Sequence, residues 1–282
     1  VPVSRAGVPA LAAGVVAVLL AGCAGAVPAP IRGQGAWALP PAGARFDYQL
    51  GGGYTPAEGV TVVARDRTER PAGLGYDVCY VNGFQTQPAD SAAFAAAHPD
   101  LVVQTADGPL ADPDWPDELL LDTSTPVKRA ALLDLVGPWI RGCAASGFDA
   151  VEVDNLDSWT RSQGHLTAQG ATTLAVEYAR VAHQAGLAVA QKNAPELSAR
   201  LRAAGYDLAV AESCEAFDEC SAYTDHYPVV LDVEYTDELG ADGFARVCAE
   251  ARGRSGGLQR VLRDHDLLTP DDAGYAYRAC PA

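Results

Sequence analysis

Residues 148–159 read Phe148-Asp-Ala-Val-Glu-Val-Asp-Asn-Leu-Asp-Ser-Trp159. The segment begins with apolar residues, Ala150, Val151 and Val153, of the kind a buried strand carries. It ends in Asp154, Asn155 and Asp157, followed by Trp159. By itself the run fits two structures. One is a strand closed by an acidic turn, because Asp and Asn are favoured turn residues. The other is a buried strand that delivers carboxylates to a functional edge. The choice depends on whether other segments repeat the pattern.

They do. Segments 46–50, 60–64, 76–82, 187–190, 207–211, 227–233 and 258–262 share this character, which with 149–154 makes eight candidate strands. Helical patterns fall between several of them, at 89–98, 127–146, 167–185, 196–204 and 242–252. The second of these starts at Thr125-Pro126, with proline in the first turn, and Gly147 lies just past its end. Eight strands interleaved with helices predict an α/β fold, a single (β/α)8 TIM-type barrel. Its first units are irregular, since 65–76 is too short for a full helix. An open doubly wound sheet would carry a glycine fingerprint after its first strand. Gly51-Gly-Gly53 does not supply one, and without a following Lys-Ser/Thr it reads as a turn.

In such a barrel the C-terminal strand ends converge on one face, where catalysis takes place. Here they bring Gln49, Asp66, Asn82, Asp154, Asn155, Lys192, Asn193, Glu212, Glu234, Tyr235 and Asp264. Two carboxylates across a polar pocket are what glycoside hydrolysis uses: one protonates the leaving oxygen, and the other attacks carbon or activates water. Asp154 and Glu212, two strands apart, are the candidate pair. Asp154 is read as nucleophile or base and Glu212 as acid, and the opposite assignment stays open because surroundings tune each group. Trp115, Trp159 and Tyr235 are available to stack on sugar rings, or to be buried as ordinary core aromatics. There is no Gly-x-Ser-x-Gly elbow and no His-Glu-x-x-His. Asp154-Asn155-x-Asp157 lacks the longer calcium-loop pattern, so neither metal nor cofactor is expected.

Composition narrows the partners. The 282 residues, 49% of them hydrophobic, suffice for one large core, and the formal net charge of −16 argues against nucleic acid. It permits a cationic ligand. Arg5 and the apolar run 8–20 form an export signal too short for a membrane span. Leu20-Ala-Gly-Cys23 resembles a bacterial lipobox, with Cys23 as the lipidated residue; ordinary cleavage near Ala24 to Ala26 is the other reading. The expected organisation is signal 1–23, flexible tether 24–44 and barrel 45–282. The protein is then extracellular or at the cell surface, touching membrane only through the anchor. Six cysteines remain besides Cys23, an even number that suits disulfides in an exported protein. Cys214 and Cys220 are close enough to close a small loop, and Cys248 and Cys280 to tie the C-terminal tail to the last helix.

The order Trp115-Pro-Asp-Glu118 with Asp122, Asp149 to Asp157, Lys192-Asn193, Glu212-Ser-Cys214 with Cys220, and Val233-Glu-Tyr235 resembles glycoside hydrolase family 114, the endo-α-1,4-polygalactosaminidases. The resemblance covers roughly 46–235. It implies a (β/α)8-type barrel, cleavage of α-1,4-linked galactosamine polymers, and catalytic acids at Asp154 and Glu212. Three stretches depart from the family pattern and bear on the exact substrate. Phe46-Asp-Tyr-Gln49 replaces a Trp-rich strand, Glu212-Ser-Cys214 replaces Glu-Gln-Cys, and Asn82-Gly-Phe-Gln-Thr-Gln-Pro88 replaces an acidic, Arg-containing loop. A polymer with free amines is attracted by an acidic pocket. Asp66, Glu118, Asp157 and Glu234 are candidates for that role, although pairing with Lys192 or Arg263 is the alternative for Glu118 and Glu234. Gln49, Trp115, Asn155, Lys192, Asn193 and Tyr235 complete the expected sugar-binding set. Two other readings remain: a non-catalytic surface lipoprotein that binds amino-sugar polymer, and a glycosidase for another α-glycoside.

Overall fold

The computed structural model describes residues 37–251 and 257–280. Eight strands run in parallel order: β1 Arg45–Gln49, β2 Val60–Asp66, β3 Tyr76–Asn82, β4 Ala150–Asp154, β5 Ala188–Lys192, β6 Leu208–Glu212, β7 Val230–Tyr235 and β8 Leu258–Arg263. A short β9, Tyr277–Ala279, adds antiparallel to β8. Helices α1 Ser91–Ala97 and α2 Pro126–Ser146 lie between β3 and β4, α3 Ala168–Gln184 between β4 and β5, and α4 Ser198–Ala204 between β5 and β6. The four-residue α5 Ser221–Thr224 precedes β7, and α6 Gly240–Ala251 joins β7 to β8. The first two crossovers carry no helix, as the short 65–76 segment foretells.

The sheet curls into a near-closed barrel. Among the described residues no backbone ladder joins β8 to β1; side chains close the seam instead. Arg263, fully buried, donates to the Tyr48 carbonyl and lies 3.3 Å from Asp47 Oδ1. Tyr277 donates its hydroxyl to the Phe46 carbonyl at 3.2 Å.

Alternation along each strand sorts residues between two cores. Phe46, Tyr48, Val78, Ala150, Ala190, Val210 and Val233 fill the barrel interior. Val81, Val151, Val153, Val189 and Ala209 face the helical layer, against Leu132, Ile140, Leu174 and Tyr178. Segment 148–159 owes its position to its neighbours. Thr125 caps α2 by accepting from the Lys128 N–H at 3.3 Å, and Gly147, with φ of 95°, ends the helix just before β4. Gly83, directly after β3, passes so close to β4 that an added Cβ would stand 2.3 Å from Val153.

Three disulfides are present: Cys79–Cys143 links β3 to α2, Cys214–Cys220 closes the loop after β6, and Cys248–Cys280 ties α6 to the tail. The two pairings expected from sequence are among them. Residues 37–44, which composition reads as tether, pack against the barrel. Trp37 stacks on His183 with centroids 3.8 Å apart, and Tyr76 and Gln259 donate to the Ala38 and Pro41 carbonyls. The export signal and Cys23 lie outside the described residues. Among those described, no helix is long and apolar enough to cross a membrane.

Candidate active site

The C-terminal strand ends surround a cavity of about 610 Å³. Lys192, at the end of β5 and almost wholly buried, is part of its lining. Its Nζ lies 3.1 Å from Asp154 Oδ1, 3.2 Å from Glu212 Oε2, 3.2 Å from Glu152 Oε1 and 3.1 Å from the Tyr48 hydroxyl. Burial disfavours the charged ammonium, but Asp154, Glu212, Tyr48 and Glu152 together outweigh it and hold the group well above its ordinary pKa.

Asp154 and Glu212, the two predicted acids, therefore meet across one cation. Asp154 Oδ2 also accepts the Tyr80 hydroxyl at 2.8 Å. Glu212 Oε2 accepts from the Asn193 side chain at 2.8 Å, and Oε1 accepts the Tyr235 hydroxyl. The Asn193 side-chain oxygen Oδ1 in turn accepts the Glu212 N–H at 2.9 Å, which fixes the carboxylate's own backbone. Burial works to raise Glu212, yet Lys192, Tyr235 and Asn193 together hold it below the usual carboxylate range. Asn155, Asn193 and Ser213 follow directly after β4, β5 and β6, and each has positive φ, 60°, 47° and 59°. Such residues are uncommon and gather at functional sites, where the turn re-aims a side chain.

Glu118 enters from the long β3–α2 excursion and lines the same cavity. It accepts from Asn82 at 2.9 Å and from Asn155 at 3.4 Å. Burial pushes it up to about 7, helped by Asp154 and Asp112 and opposed by the Asn82 hydrogen bond and Arg161. Glu118 pairs with amides, not with Lys192 or Arg263.

Of the expected sugar-binding residues, Asp66, Trp115, Glu118, Asn155, Asp157, Lys192, Asn193 and Tyr235 line the cavity. Gln49 does not: it points out of the barrel, donating to Asp47 at 2.7 Å and accepting from Arg65 at 2.9 Å. Glu234 also faces outward, because alternation on β7 turns Leu231, Val233 and Tyr235 inward. Its Oε1 accepts the Glu215 N–H at 2.8 Å. Asp157 is held by Arg161 at 2.9 Å, and Trp159 packs into the core beside the cavity instead of lining it. Sequence reasoning passed over Tyr80, Arg161, Phe217, Glu238 and His265, which line the cavity, and Glu152 beneath it. The inward alternation of β3 and β4 was a signal for Tyr80 and Glu152. Phe217 and His265 lie in loops and offered none.

Three cysteine and carboxylate ligand atoms come together at Cys214, Cys220 and Asp232, but both sulfurs are spent in a disulfide. That donor set does not suit a metal.

A parallel barrel that gathers paired carboxylates, amides and aromatic rings over its C-terminal rim defines a glycoside hydrolase. The chain belongs to glycoside-hydrolase family GH114, whose profile matches residues 28–281. The structure of Aspergillus fumigatus Ega3 in complex with galactosamine is similar over 85% of this chain and 96% of its own, with a TM-score of 0.65 and 20% identity. The glycoside hydrolase domain of PelA from Pseudomonas aeruginosa is similar over 82% and 96%, with a TM-score of 0.56 and 16% identity. At these identities the likeness is one of fold. No curated protein sequence matches the chain.

Proposed function

We propose that this protein cleaves α-1,4-linked galactosamine-containing polysaccharide by a two-carboxylate mechanism at Asp154 and Glu212. The observation that carries it is that both acids face one cavity and share the Lys192 ammonium. Both oxygens lie within 3.2 Å of Nζ, so their separation is at most twice that distance. Carboxyl oxygens brought together on one cation are in keeping with a retaining, double-displacement route, whose paired carboxyl groups stand roughly 5–5.5 Å apart.

Glu212, held ionised by its donors, suits the attack on the anomeric carbon. Asp154 then protonates the leaving oxygen and afterwards takes a proton from the water that frees the sugar. These roles reverse the preference read from sequence, because besides the ammonium that both acids share, two donors converge on Glu212 and one on Asp154.

The substrate class rests on charge. Asp66, Asp114, Glu118, Asp154, Asp157, Glu212, Glu238 and Asp266 line the cavity against Lys192 and Arg161, an excess that attracts a cationic amino-sugar chain. A related fold, Ega3, has been crystallised with galactosamine.

Incubation with deacetylated and acetylated galactosaminogalactan tests the proposal. Oligosaccharides are released from the deacetylated polymer, and D154N and E212Q each lose at least about 10³-fold in rate. On an aryl glycoside whose leaving group needs no proton, D154N keeps its first step and E212Q does not; the opposite pattern exchanges the roles. Binding without release from any glycan would support the non-catalytic lipoprotein instead. The export signal and lipobox motivate a surface location, anchored at Cys23. A C23S chain that still partitions with membranes would refute the anchor.

A further inference from the structure

Glu152 is a buried acid that the two-carboxylate scheme leaves without a task. Alternation on β4 turns Ala150, Glu152 and Asp154 toward the barrel interior, so Glu152 sits one layer below Asp154, sealed from solvent. Its Oε1 accepts the Tyr48 hydroxyl at 2.6 Å and lies 3.2 Å from Lys192 Nζ. Its Oε2 is buried and has no partner among the described residues. An enclosed carboxylate with an idle oxygen destabilises a fold, and an apolar side chain would fill the layer at less cost. Its presence therefore calls for another explanation.

Lys192 supplies one. An ammonium has three N–H donors, and four acceptors surround this one: Tyr48, Glu152, Asp154 and Glu212. Two carboxylates stand on the substrate side, and Glu152 alone provides negative charge from beneath. An ammonium beside a general acid favours the acid's ionised form, which is useless for protonating a leaving group. A carboxylate on the far side of the ammonium offsets that field. We propose that Glu152 is a positioning residue for hydrolysis: it anchors Lys192 from below, holds the ammonium between Asp154 and Glu212, and offsets the ammonium's charge on the catalytic pair.

The groups facing this cluster are Tyr48 from β1, Tyr80 from β3, Asp154 from β4, Lys192 from β5, Glu212 from β6 and Tyr235 from β7, with Glu118 of the β3–α2 excursion acting on Asp154. Burial pushes all three phenols well above their ordinary value, so near neutral pH only the carboxyl groups exchange protons. Burial also pushes Glu152 up to about 7, with Lys192 opposing. Its charge grows in as pH rises through neutrality.

The proposal rests on the hydrolytic reading above. E152Q keeps the shape and a partner for Tyr48 but removes the charge. The expected result on the deacetylated polymer is a basic limb of the kcat/KM profile displaced to lower pH by about one unit. E152D, which restores a charge at longer reach, shows a smaller displacement in the same direction. A merely structural role lowers activity at every pH and leaves the limb in place, and that result overturns the proposal. Should E152Q fail to fold, E152D decides alone: a folded, active E152D with an unmoved limb refutes it. Absence of release by the wild-type chain overturns the hydrolytic reading and this role together, whereas an active wild type with unmoved limbs in the variants refutes the role of Glu152 only.

Discussion

Replacing Lys192 with methionine removes the one cation that three buried or half-buried carboxylates share. Glu152, Asp154 and Glu212 each place an oxygen 3.1–3.2 Å from Nζ. At that range one pair carries roughly 5 kcal/mol of Coulomb attraction at an effective dielectric near 20. Much of it is offset by the cost of drying the ions, and breaking a buried pair from one side destabilises by about 3–5 kcal/mol. For a domain of this size that corresponds to a Tm lower by roughly 6–20 °C at pH 8. The loss depends on pH. Without the ammonium, Glu212 is no longer held low and its neighbours repel it, so the native cluster takes up protons that the unfolded chain releases. By linkage such a group weakens the fold as pH rises, so the deficit of K192M is smaller at pH 5 than at pH 8. Thermal melts followed by circular dichroism at both pH values measure it. An unchanged Tm, or a deficit as large at pH 5 as at pH 8, refutes the view that Lys192 holds these carboxylates together.

The wild-type protein has its own pH signature. Glu118 and Glu152, pushed up to about 7, stay protonated in the native state where the unfolded chain has already ionised. Stability therefore falls as pH climbs from about 4.5 to 7, by up to roughly 3 kcal/mol for the enclosed Glu152 and by less for Glu118, which solvent screens in part. Asp112, Asp122 and Glu212 are held low and act in the opposite sense, so their contribution is lost as the medium becomes more acidic than about pH 4. Tm consequently peaks near pH 5, and a Tm that climbs steadily from pH 5 to 8 contradicts the assignment. Phe217 is largely exposed, lines the cavity and sits on the Cys214–Cys220 loop, an apolar surface suited to a sugar ring. F217A raises KM for the polymer about three- to tenfold with kcat unchanged, and a fall in kcat alone would show that the ring serves the chemistry instead.

Segment 148–159 separates what the chain states from what folding adds. Its alternation, its repetition in seven other segments and the polar residues at their ends determined the parallel barrel and the placing of Asp154 and Glu212 on one rim. Those are local features: strand periodicity fixes which residues face inward, and parallel connectivity brings like ends to one face. Cys214–Cys220 was legible from its short separation, and Cys248–Cys280 from the placing of one cysteine on the last helix and the other in the tail. Gln49 and Glu234 were misplaced because the last residue of a strand points in or out according to a register that its neighbours set. Asp157 was ambiguous until Arg161, four residues on, was seen to hold it, with Asp112 from a distant loop fixing the guanidinium at 2.6 Å. The convergence of Tyr48, Glu152, Asp154, Lys192 and Glu212 comes from four strands of one barrel. Sequence order carries no sign of which ammonium faces which acid. Only tertiary packing put one buried lysine among three carboxylates, and that placement helps hold Glu212 low. The sequence by itself thus determined the fold and the candidate acids, while the structure decided which cation and which donors surround each of them, because charge interactions depend on distances through space and not along the chain.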